Sequence, residues 1–389
     1  MSYKEYFRHF LDADPARLHV AAHSHHFWPD ATLRAQETCW RDAARLADRK
    51  WEQVFGEVVP AAQRHVAHLL NLKDPSSLAF GPNTHGFVLR LLSLLPPGQP
   101  VRILTTDSEF HSFTRQVRRL EEEALAEVTR VPAEPTASFS RRLIEAAGRG
   151  GHDLVFFSQV FFNSGYAVPD VAALVGAVPD AGTIVAVDGY HGFMALPTDL
   201  TAIAGRAFYI AGGYKYAMAG EGACFIHVPA DRRYRPRDTG WFASFGTLES
   251  EGATTIDYAP GGAGFLGATF DPVGLYRLNA VLGWLESLGI TPAMIHAHVH
   301  GLQRDFIDRL AGLKLAALHP GQLVVPIAES NRGNFLTFRT PDADMLHRRL
   351  LAANIVTDHR GDRLRFGFGL YHDAADIGRL CERLQALLA

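Results

Sequence analysis

The chain alternates between short apolar runs and longer segments in which apolar residues recur every three or four positions. Runs of four to six apolar, β-branched or aromatic residues are typical of strands buried on both faces of a parallel sheet. Helical patterns lie between these runs, as at 87–95, 139–148 and 170–178. Strand and helix in alternation predict an α/β architecture. The predicted strands are 101–105, 154–158, 183–187, 207–210 and 223–228.

The pattern changes beyond residue 270, where two long helices precede further strands and predict a smaller α+β domain. The chain therefore divides into an N-terminal arm at 1–30, a large α/β domain at 31–270 and a small domain at 271–389. A glycine-rich, helix-poor stretch at 240–267 is interpreted as an ordered functional loop because it contains several aromatic residues. The later elements are predicted as helices 272–288 and 292–313 and strands 323–327, 335–338 and 363–367.

Composition narrows the class of partner. With 389 residues, 47% of them hydrophobic, and a formal net charge of −3, the chain has a large core and no basic patch for nucleic acid or an anionic membrane. Cys39, Cys224 and Cys381 lie far apart without CxxC spacing, which predicts neither disulfides nor a zinc site. The polar start and the absence of a long apolar window predict a cytoplasmic protein that acts on small molecules.

Two predicted strands end next to residues that carry chemistry. Asp188 follows strand 183–187, and Lys215 follows strand 207–210 after Gly212 and Gly213. Parallel strands place their carboxyl ends at one sheet edge, so the two side chains are expected to meet. A lysine that bonds an aldehyde and an acid that keeps a pyridine nitrogen protonated are what pyridoxal 5'-phosphate (PLP) requires. The structural alternatives are a turn-capping aspartate and a surface lysine in a loop.

Two further segments suit the phosphate and the ring of PLP. Asn83, Thr84 and His85 precede the apolar helix at 87–95, where free N–H groups favour an anion. Phe110 follows strand 101–105 and is a candidate for stacking on a flat heterocycle. Taken alone, the first segment is equally explained as a helix cap, and Phe110 as a core residue.

One histidine cluster occurs, at His23, His25 and His26. A metal site would need a further ligand that nothing nearby supplies, so no metal is predicted. These side chains are expected to line the mouth of the active site or to occupy the N-terminal surface.

At these residues the chain resembles the class V aminotransferase superfamily of fold-type I PLP enzymes, and within it the kynureninases. The resemblance covers most of the chain and implies a large domain with a mostly parallel, seven-stranded sheet plus a smaller α+β domain. The blocks that carry it are Asp188-Gly189-Tyr190-His191, Gly213-Tyr214-Lys215-Tyr216, Gly240-Trp241-Phe242, Arg332-Gly333, Leu364-Arg365-Phe366 and Gly369-Leu370-Tyr371.

The resemblance implies a role for each matching residue. Lys215 would bond the cofactor, Asp188 would pair with its ring nitrogen, and His191 would lie beside its ring hydroxyl. Phe110 would stack on the ring. Arg365 would clamp the substrate α-carboxylate, a task suited to a planar guanidinium. The phosphate would be bound by Tyr214 and Trp241 together with Asn83 and Thr84.

The same resemblance implies a homodimer with active sites at the interface, in which the loop carrying Thr269 contacts the phosphate of the partner's site. His25 and Tyr216 are the remaining candidates for substrate contact. Three segments depart from kynureninases. Thr269 stands where an asparagine of Ser-Asn-Pro-Pro is usual, 110–113 lacks the aspartate of Phe-Pro-Ser-Asp, and 23–26 replaces Asn-Ser-Leu-Gly.

The function implied is kynureninase-like hydrolysis in tryptophan catabolism, in which the Cβ–Cγ bond beside a γ-carbonyl is cleaved and alanine is released. One alternative is a class V aminotransferase acting on another amino acid. A second is a non-catalytic protein that binds the cofactor. Cysteine desulfurase activity is disfavoured because 319–335 contains no cysteine to receive sulfur.

Overall fold

A computed structural model of the chain describes residues 2–247 and 254–389. The helices are α1 Arg8–Asp12, α2 Ala31–Leu46, α3 Lys50–Gln53, α4 Val59–Leu69, α5 Thr84–Ser93, α6 His111–Glu122, α7 Phe139–Gly148, α8 Val171–Gly176, α9 Val273–Ser287, α10 Pro292–Leu313, α11 Ala343–Ala352 and α12 Ala374–Leu388. The strands are β1 Leu18–His19, β2 Leu78–Gly81, β3 Val101–Thr106, β4 Ala126–Val131, β5 Leu154–Ser158, β6 Ile184–Asp188, β7 Phe208–Gly212, β8 Cys224–His227, β9 Phe335–Arg339, β10 Ile355–Val356, β11 Asp358–Arg360 and β12 Arg363–Gly367.

A seven-stranded sheet in the order β2-β8-β7-β6-β5-β3-β4 forms the centre of the molecule. Strands β7, β6, β5, β3 and β4 pair in parallel, whereas β8 runs antiparallel to both of its neighbours. The parallel register aligns Ser158 of β5 with Asp188 of β6, and Asp188 with Ile210 of β7. The polar end of β6 therefore lies between two other strand ends at the carboxyl edge of the sheet.

The central strands are apolar on both faces because each face covers a separate core. Val185 and Val187 of β6 point into one hydrophobic cluster, and Ile184 and Ala186 point into the other. On the second face, the ring of Phe113 from α6 stacks on Phe156 of β5 at a centroid distance of 3.8 Å. Burial on both sides explains why these strands show continuous apolar runs rather than alternation.

The N-terminal segment is joined to the C-terminal part of the chain. Strand β1 pairs in parallel with β10, and Ala21 forms a bridge with Gly367 of β12. A three-stranded antiparallel sheet has the order β11-β12-β9. Helix α9 packs against α2 and α4, whereas α10 packs against α12. Among the described residues, no single helix is long and apolar enough to cross a membrane, and α9 and α10 pass that test only as a pair bent by 83°.

Most predicted elements are confirmed to within a few residues. Helices 139–148 and 292–313 and strand 154–158 have the predicted bounds. Helix α5 begins at Thr84, three residues before the predicted start, because the Asn83 side chain caps it by accepting the N–H of Gly86 at 3.0 Å. Asp170 lies outside α8 as its cap and accepts the N–H of Ala173 at 2.8 Å.

The predicted strand 323–327 is wrong. The segment makes only an isolated bridge between Leu323 and Phe338, together with a hydrogen bond from Val324 N–H to the Thr337 carbonyl at 2.9 Å. Pro326 cannot donate to a ladder and ends the pairing. The stretch 240–267 contains short 3-10 turns at Trp241–Thr247 and Gly261–Phe265, and its residues 248–253 lie outside the described part of the chain.

Candidate active site

A cavity of about 200 Å³ opens at the carboxyl edge of the large sheet, where β5, β6 and β7 end. The parallel register brings together residues that are far apart in sequence, as expected for a ligand site in an open sheet. The predicted site residues that line it are Asn83, Thr84, His85, Phe110, Asp188, His191, Tyr214 and Lys215.

Lys215 is held in a turn that only small residues permit. A Cβ on Gly212 would lie 2.4 Å from the Tyr190 hydroxyl oxygen, and one on Gly213 would lie 3.1 Å from the Ala219 Cβ. The chain can therefore turn tightly after β7 and direct the lysine into the cavity.

Aromatic rings surround the Lys215 amine. Its Nζ lies 4.6 Å from the ring centroid of Tyr190, 5.7 Å from that of Phe110 and 5.9 Å from that of Tyr214. Burial lowers the pKa of Lys215 to about 7, although the nearby Asp188 opposes this shift. A substantial fraction of the amine is therefore unprotonated near neutral pH, which nucleophilic attack on an aldehyde requires.

Asp188 is partly buried and lines the same cavity, and among the described residues a hydrogen bond is found for only one of its two oxygens. Its Oδ1 accepts the N–H of Tyr190 at 2.9 Å, and it has further acceptor capacity for a cationic ligand group. Burial raises the pKa of Asp188, while the Tyr190 N–H and Lys215 lower it. A partly buried carboxylate of this kind favours a protonated nitrogen as its partner.

His191 follows β6 by three residues, lines the cavity and is buried. Within the described parts of the chain its Nδ1 has no hydrogen-bond partner, and its ring lies 5.3 Å from that of Phe335. Burial, with a contribution from Lys215, holds the pKa of His191 well below its ordinary value. The imidazole is therefore neutral and has a free nitrogen for a ligand oxygen.

The first turn of α5 faces the cavity and serves two purposes. The Asn83 side chain caps the helix, so the structural alternative for this residue is realised. Thr84 and His85 line the cavity at the start of the helix, where backbone N–H groups lack intrahelical partners. This position suits a phosphate group.

Arg365 is buried beside two aromatic rings. Its guanidinium carbon is 6.0 Å from the Phe162 ring centroid and 5.7 Å from that of Phe335. One terminal nitrogen donates to the Phe162 carbonyl and the other to Asp358, while the buried Nε has no partner in the described structure. Burial lowers the pKa of Arg365 to about 10. Asp358 and the Phe162 carbonyl thus fix the two terminal nitrogens of the guanidinium.

Arg365 is not among the residues that line the cavity, and neither are four other predicted residues, His25, Tyr216, Trp241 and Thr269. His25 is exposed beside Tyr214, with ring centroids 5.3 Å apart. Tyr216 is fully buried and its hydroxyl contacts the carbonyls of Asn334 and Phe368, so it joins the two sheets rather than facing the cavity. Trp241 is 43% exposed and stacks on Phe242, and Thr269 is exposed.

The expectation that the histidine cluster occupies the surface or the mouth of the site is corrected for two of its members. His23 and His26 are buried because two glycines make room for their rings. A Cβ on Gly367 would lie 2.3 Å from His23 Nδ1, and one on Gly369 would lie 2.3 Å from His26 Nε2. His23 stacks on Phe335 at 4.4 Å, and its Nε2 lies 3.9 Å from Asp358.

The sequence interpretation missed several residues of the site. Ser158, Phe162, Tyr190 and Cys224 line the cavity, and Asp358 holds Arg365 in place. Ser158 was recognisable as the last residue of a predicted strand next to that of Asp188. Glu109 is a buried carboxyl beside Ser158, and nothing in the sequence pattern distinguishes it from a surface glutamate.

The fold and the site together define a PLP-dependent enzyme of fold type I. The cavity fits this cofactor because it combines a buried amine with a lowered pKa, a partly buried carboxyl with further acceptor capacity, and the start of a helix. The family model described as aminotransferase class-V matches residues 33–345, so the chain belongs to this family.

Relatives within the family differ in the activity their names describe. A kynureninase of Deinococcus radiodurans is 30% identical over 241 residues, which are 60% of this chain and 57% of that protein. An isopenicillin N epimerase of Streptomyces clavuligerus is 28% identical over 375 residues, 88% of this chain and 89% of the relative. A probable cysteine desulfurase of Vibrio cholerae is 23% identical over 288 residues, which are 72% of this chain and 69% of that protein.

Solved structures share the fold across the whole chain. A cystine C–S lyase bound to its product cysteine persulfide has a TM-score of 0.81 at 19% identity, covering 96% of this chain and 98% of its own. A variant of that lyase, with glycine covalently linked to the PLP cofactor, has a TM-score of 0.83 at 18% identity. The match covers 98% of this chain and 99% of the variant. At this level of identity the similarity shows the common fold.

Proposed function

We propose that this enzyme is a kynureninase-like hydrolase that cleaves the Cβ–Cγ bond of an amino acid with a γ-carbonyl and releases alanine. The observation that carries the proposal is the aromatic wall between Lys215 and Arg365. The rings of Phe162 and Phe110 meet edge-on with their centroids 5.4 Å apart. The backbone carbonyl of Phe162 accepts a hydrogen bond from Arg365. A substrate held by its α-carboxylate at Arg365 would therefore rest its side chain against aromatic surfaces, which suits an aryl ketone.

The site residues supply the functions that this reaction needs. Bound PLP would supply an electron sink for the carbanion at the substrate α-carbon. The Lys215 amine, neutral in part near pH 7, would remove the α-proton once substrate has displaced it. Arg365, fixed by Asp358, would orient the carboxylate, and Asp188 would hold the positive charge of the ring nitrogen.

Tyr214 would assist at the γ-carbonyl. Burial raises the pKa of Tyr214 to about 12, so its hydroxyl stays protonated and donates to an oxygen that becomes negative when water attacks. His191 is neutral and lines the same cavity, and its Nδ1 has no partner among the described residues, which suits transfer of a proton to or from a ligand oxygen.

The test is to mix the PLP-loaded enzyme with kynurenine or 3-hydroxykynurenine and to measure anthranilate-type fluorescence together with alanine. Both products should form in equal amounts. Lys215→Ala should abolish turnover, while Lys73→Ala, at an exposed position, serves as the control and should behave like the wild type. Full PLP binding without either product would contradict the proposal.

Epimerisation at the α-carbon is a second candidate, because the isopenicillin N epimerase relative is matched over 88% of this chain. It uses the same proton removal but leaves the side chain intact. Incubation in D₂O separates the two: deuterium at Cα with loss of optical purity and no alanine would favour epimerisation. Conversion of PLP to its aminated form, without release of a carboxylic acid, would instead favour an aminotransferase.

Sulfur transfer is less consistent with the site. Cys224 lines the cavity, but burial raises its pKa to about 11, so the thiol stays protonated and is a poor sulfur acceptor. Cys39 and Cys381 do not line the cavity described here.

We also propose a homodimer in which Trp241 and Thr269 reach the cavity of the partner subunit. Neither residue lines the cavity of its own chain, although both belong to the segment that resembles the phosphate-binding part of the family. Trp241 belongs to an aromatic cluster with Phe242, Phe245 and Phe55, in which Phe245 is 56% exposed. An exposed aromatic cluster of this kind is typical of an interface.

A further inference from the structure

Glu109 is a buried carboxyl that the proposed chemistry does not use. It is 2% exposed and lies between the end of β3 and Phe110. Its Oε1 accepts the Thr106 hydroxyl at 2.6 Å and the Ser158 N–H at 3.1 Å, and its Oε2 accepts the Ser158 hydroxyl at 2.5 Å. These bonds tie the turn that carries Phe110 to the end of β5.

Ser158 connects Glu109 to the cavity. It is the last residue of β5, it lines the cavity, and it pairs in register with Asp188. Gln159, the next residue, donates its N–H to the Asp188 carbonyl at 2.8 Å. Glu109 therefore braces both the strand end beside Asp188 and the turn beside the Phe110 ring.

The charge of Glu109 acts on the same region. Three donors stabilise its ionised form, yet burial raises its pKa to about 7, and the charge of Asp188 contributes to that rise. The charged groups facing Glu109 across β5 and β6 are Asp188 and, beyond it, Lys215. A cation bound at Asp188 would favour ionisation of both carboxyls.

We infer that Glu109 is a positioning residue for PLP: it fixes the Phe110 turn over the ring and, when ionised, adds a second negative charge behind Asp188 that strengthens binding of the protonated pyridine. The inference rests on the proposed placement of Asp188 and Phe110 against PLP. It does not depend on which reaction the enzyme catalyses.

The experiment compares PLP affinity in wild-type enzyme and E109Q at pH 6 and pH 8. Glutamine keeps the shape and removes the charge. At pH 6 the wild-type Glu109 is mostly protonated, so the two proteins should differ by less than about twofold; at pH 8 the variant should bind about tenfold more weakly. Lys215 titrates in both proteins, so its effect cancels in the ratio of the two dissociation constants.

S158A is the matched control because it removes one hydrogen bond and keeps the charge. Losing this bond raises the pKa of Glu109, so the pH range over which PLP affinity changes should move upward without disappearing. If E109Q does not fold, the comparison of S158A with the wild type decides alone. An unchanged midpoint pH of the change in PLP affinity would then overturn the inference. Equal affinity of wild type and E109Q at both pH values, or an equal loss at both, would also overturn it.

D188N separates this inference from the placement of the cofactor. If D188N binds PLP as well as the wild type, the placement of Asp188 is wrong and the role of Glu109 falls with it. If D188N loses affinity and E109Q does not, only the role of Glu109 is refuted. Failure of the enzyme to hydrolyse kynurenine would contradict the proposed function and would not change either of these two measurements of PLP affinity.

Discussion

Replacing Lys215 by methionine should stabilise the PLP-free protein at low pH. The wild-type amine is buried, and its pKa falls from 10.5 to about 7. The unfolded chain keeps the lysine proton up to about pH 10.5, whereas the folded chain releases it above about pH 7. The unfolded state therefore binds more protons between these values, and wild-type stability rises with pH across this window.

The size of the effect follows from the same pKa values. Each pKa unit corresponds to about 1.4 kcal/mol, so burying the amine costs about 5 kcal/mol of folding free energy below pH 7. Methionine has a similar shape and no charge, but it leaves Asp188 without its nearby cation, which reduces the net gain to about 3 kcal/mol. The advantage of the variant over the wild type should shrink by about 3 kcal/mol between pH 6 and pH 9.

Urea unfolding of both PLP-free proteins at pH 6, 7.5 and 9, at constant ionic strength, measures this difference directly. Lys73→Met, at an exposed position, is the control and should change stability by less than about 0.5 kcal/mol at each pH. A Lys215→Met variant that is less stable than the wild type at pH 6, or whose advantage is independent of pH, would refute the reasoning.

Three further changes test other parts of the structure. Arg365→Lys should raise KM for an α-amino acid substrate about 100-fold with a smaller effect on kcat, because the fork of donors that grips a carboxylate is lost; equal KM values would contradict this. Gly367→Ala should destabilise the protein by about 2 kcal/mol in urea unfolding, since the new Cβ would lie 2.3 Å from the His23 ring. Adding His23→Ala should recover much of that loss, and no recovery would show that another contact is responsible. A mixture of Lys215→Ala and Trp241→Ala chains should recover activity in hybrid dimers if Trp241 acts across the interface. If the mixture recovers no activity, Trp241 does not act in the partner's site.

The sequence predicts the central strands well because both of their faces are buried, which produces apolar runs that stand out from their surroundings. Strand β4 was missed because it is an edge strand whose residues Glu127, Thr129 and Arg130 are not buried, so its pattern is half polar. Strand β2 was missed because it is a short edge strand. The predicted strand 323–327 failed for the opposite reason, since its apolar residues suggest a strand but Pro326 limits pairing.

The site was predictable where a residue follows a strand or precedes a helix. Asp188, Lys215 and Thr84 belong to that group, because parallel register brings strand ends and helix starts to one edge. Asp358 and Glu109 could not be predicted, since their roles depend on contacts with Arg365 and Ser158 that only the folded chain creates. The proposed role of Trp241 involves a partner subunit, and contacts between two chains leave no periodic pattern in the sequence.

The ionisable groups of the site share one property that connects stability to function. Burial shifts the pKa of Lys215 and Arg365 downward and that of Asp188 and Glu109 upward, so each group is displaced toward its neutral form. Folding the protein without ligand therefore leaves charges that are incompletely satisfied. In the proposed site, the protonated ring nitrogen of PLP would bring a positive charge to Asp188, and a substrate carboxylate would bring a negative charge to Arg365. Part of their binding free energy would therefore remove a penalty that the fold already carries. At a PLP concentration 100 times the dissociation constant, binding should stabilise the folded state by about 2.7 kcal/mol.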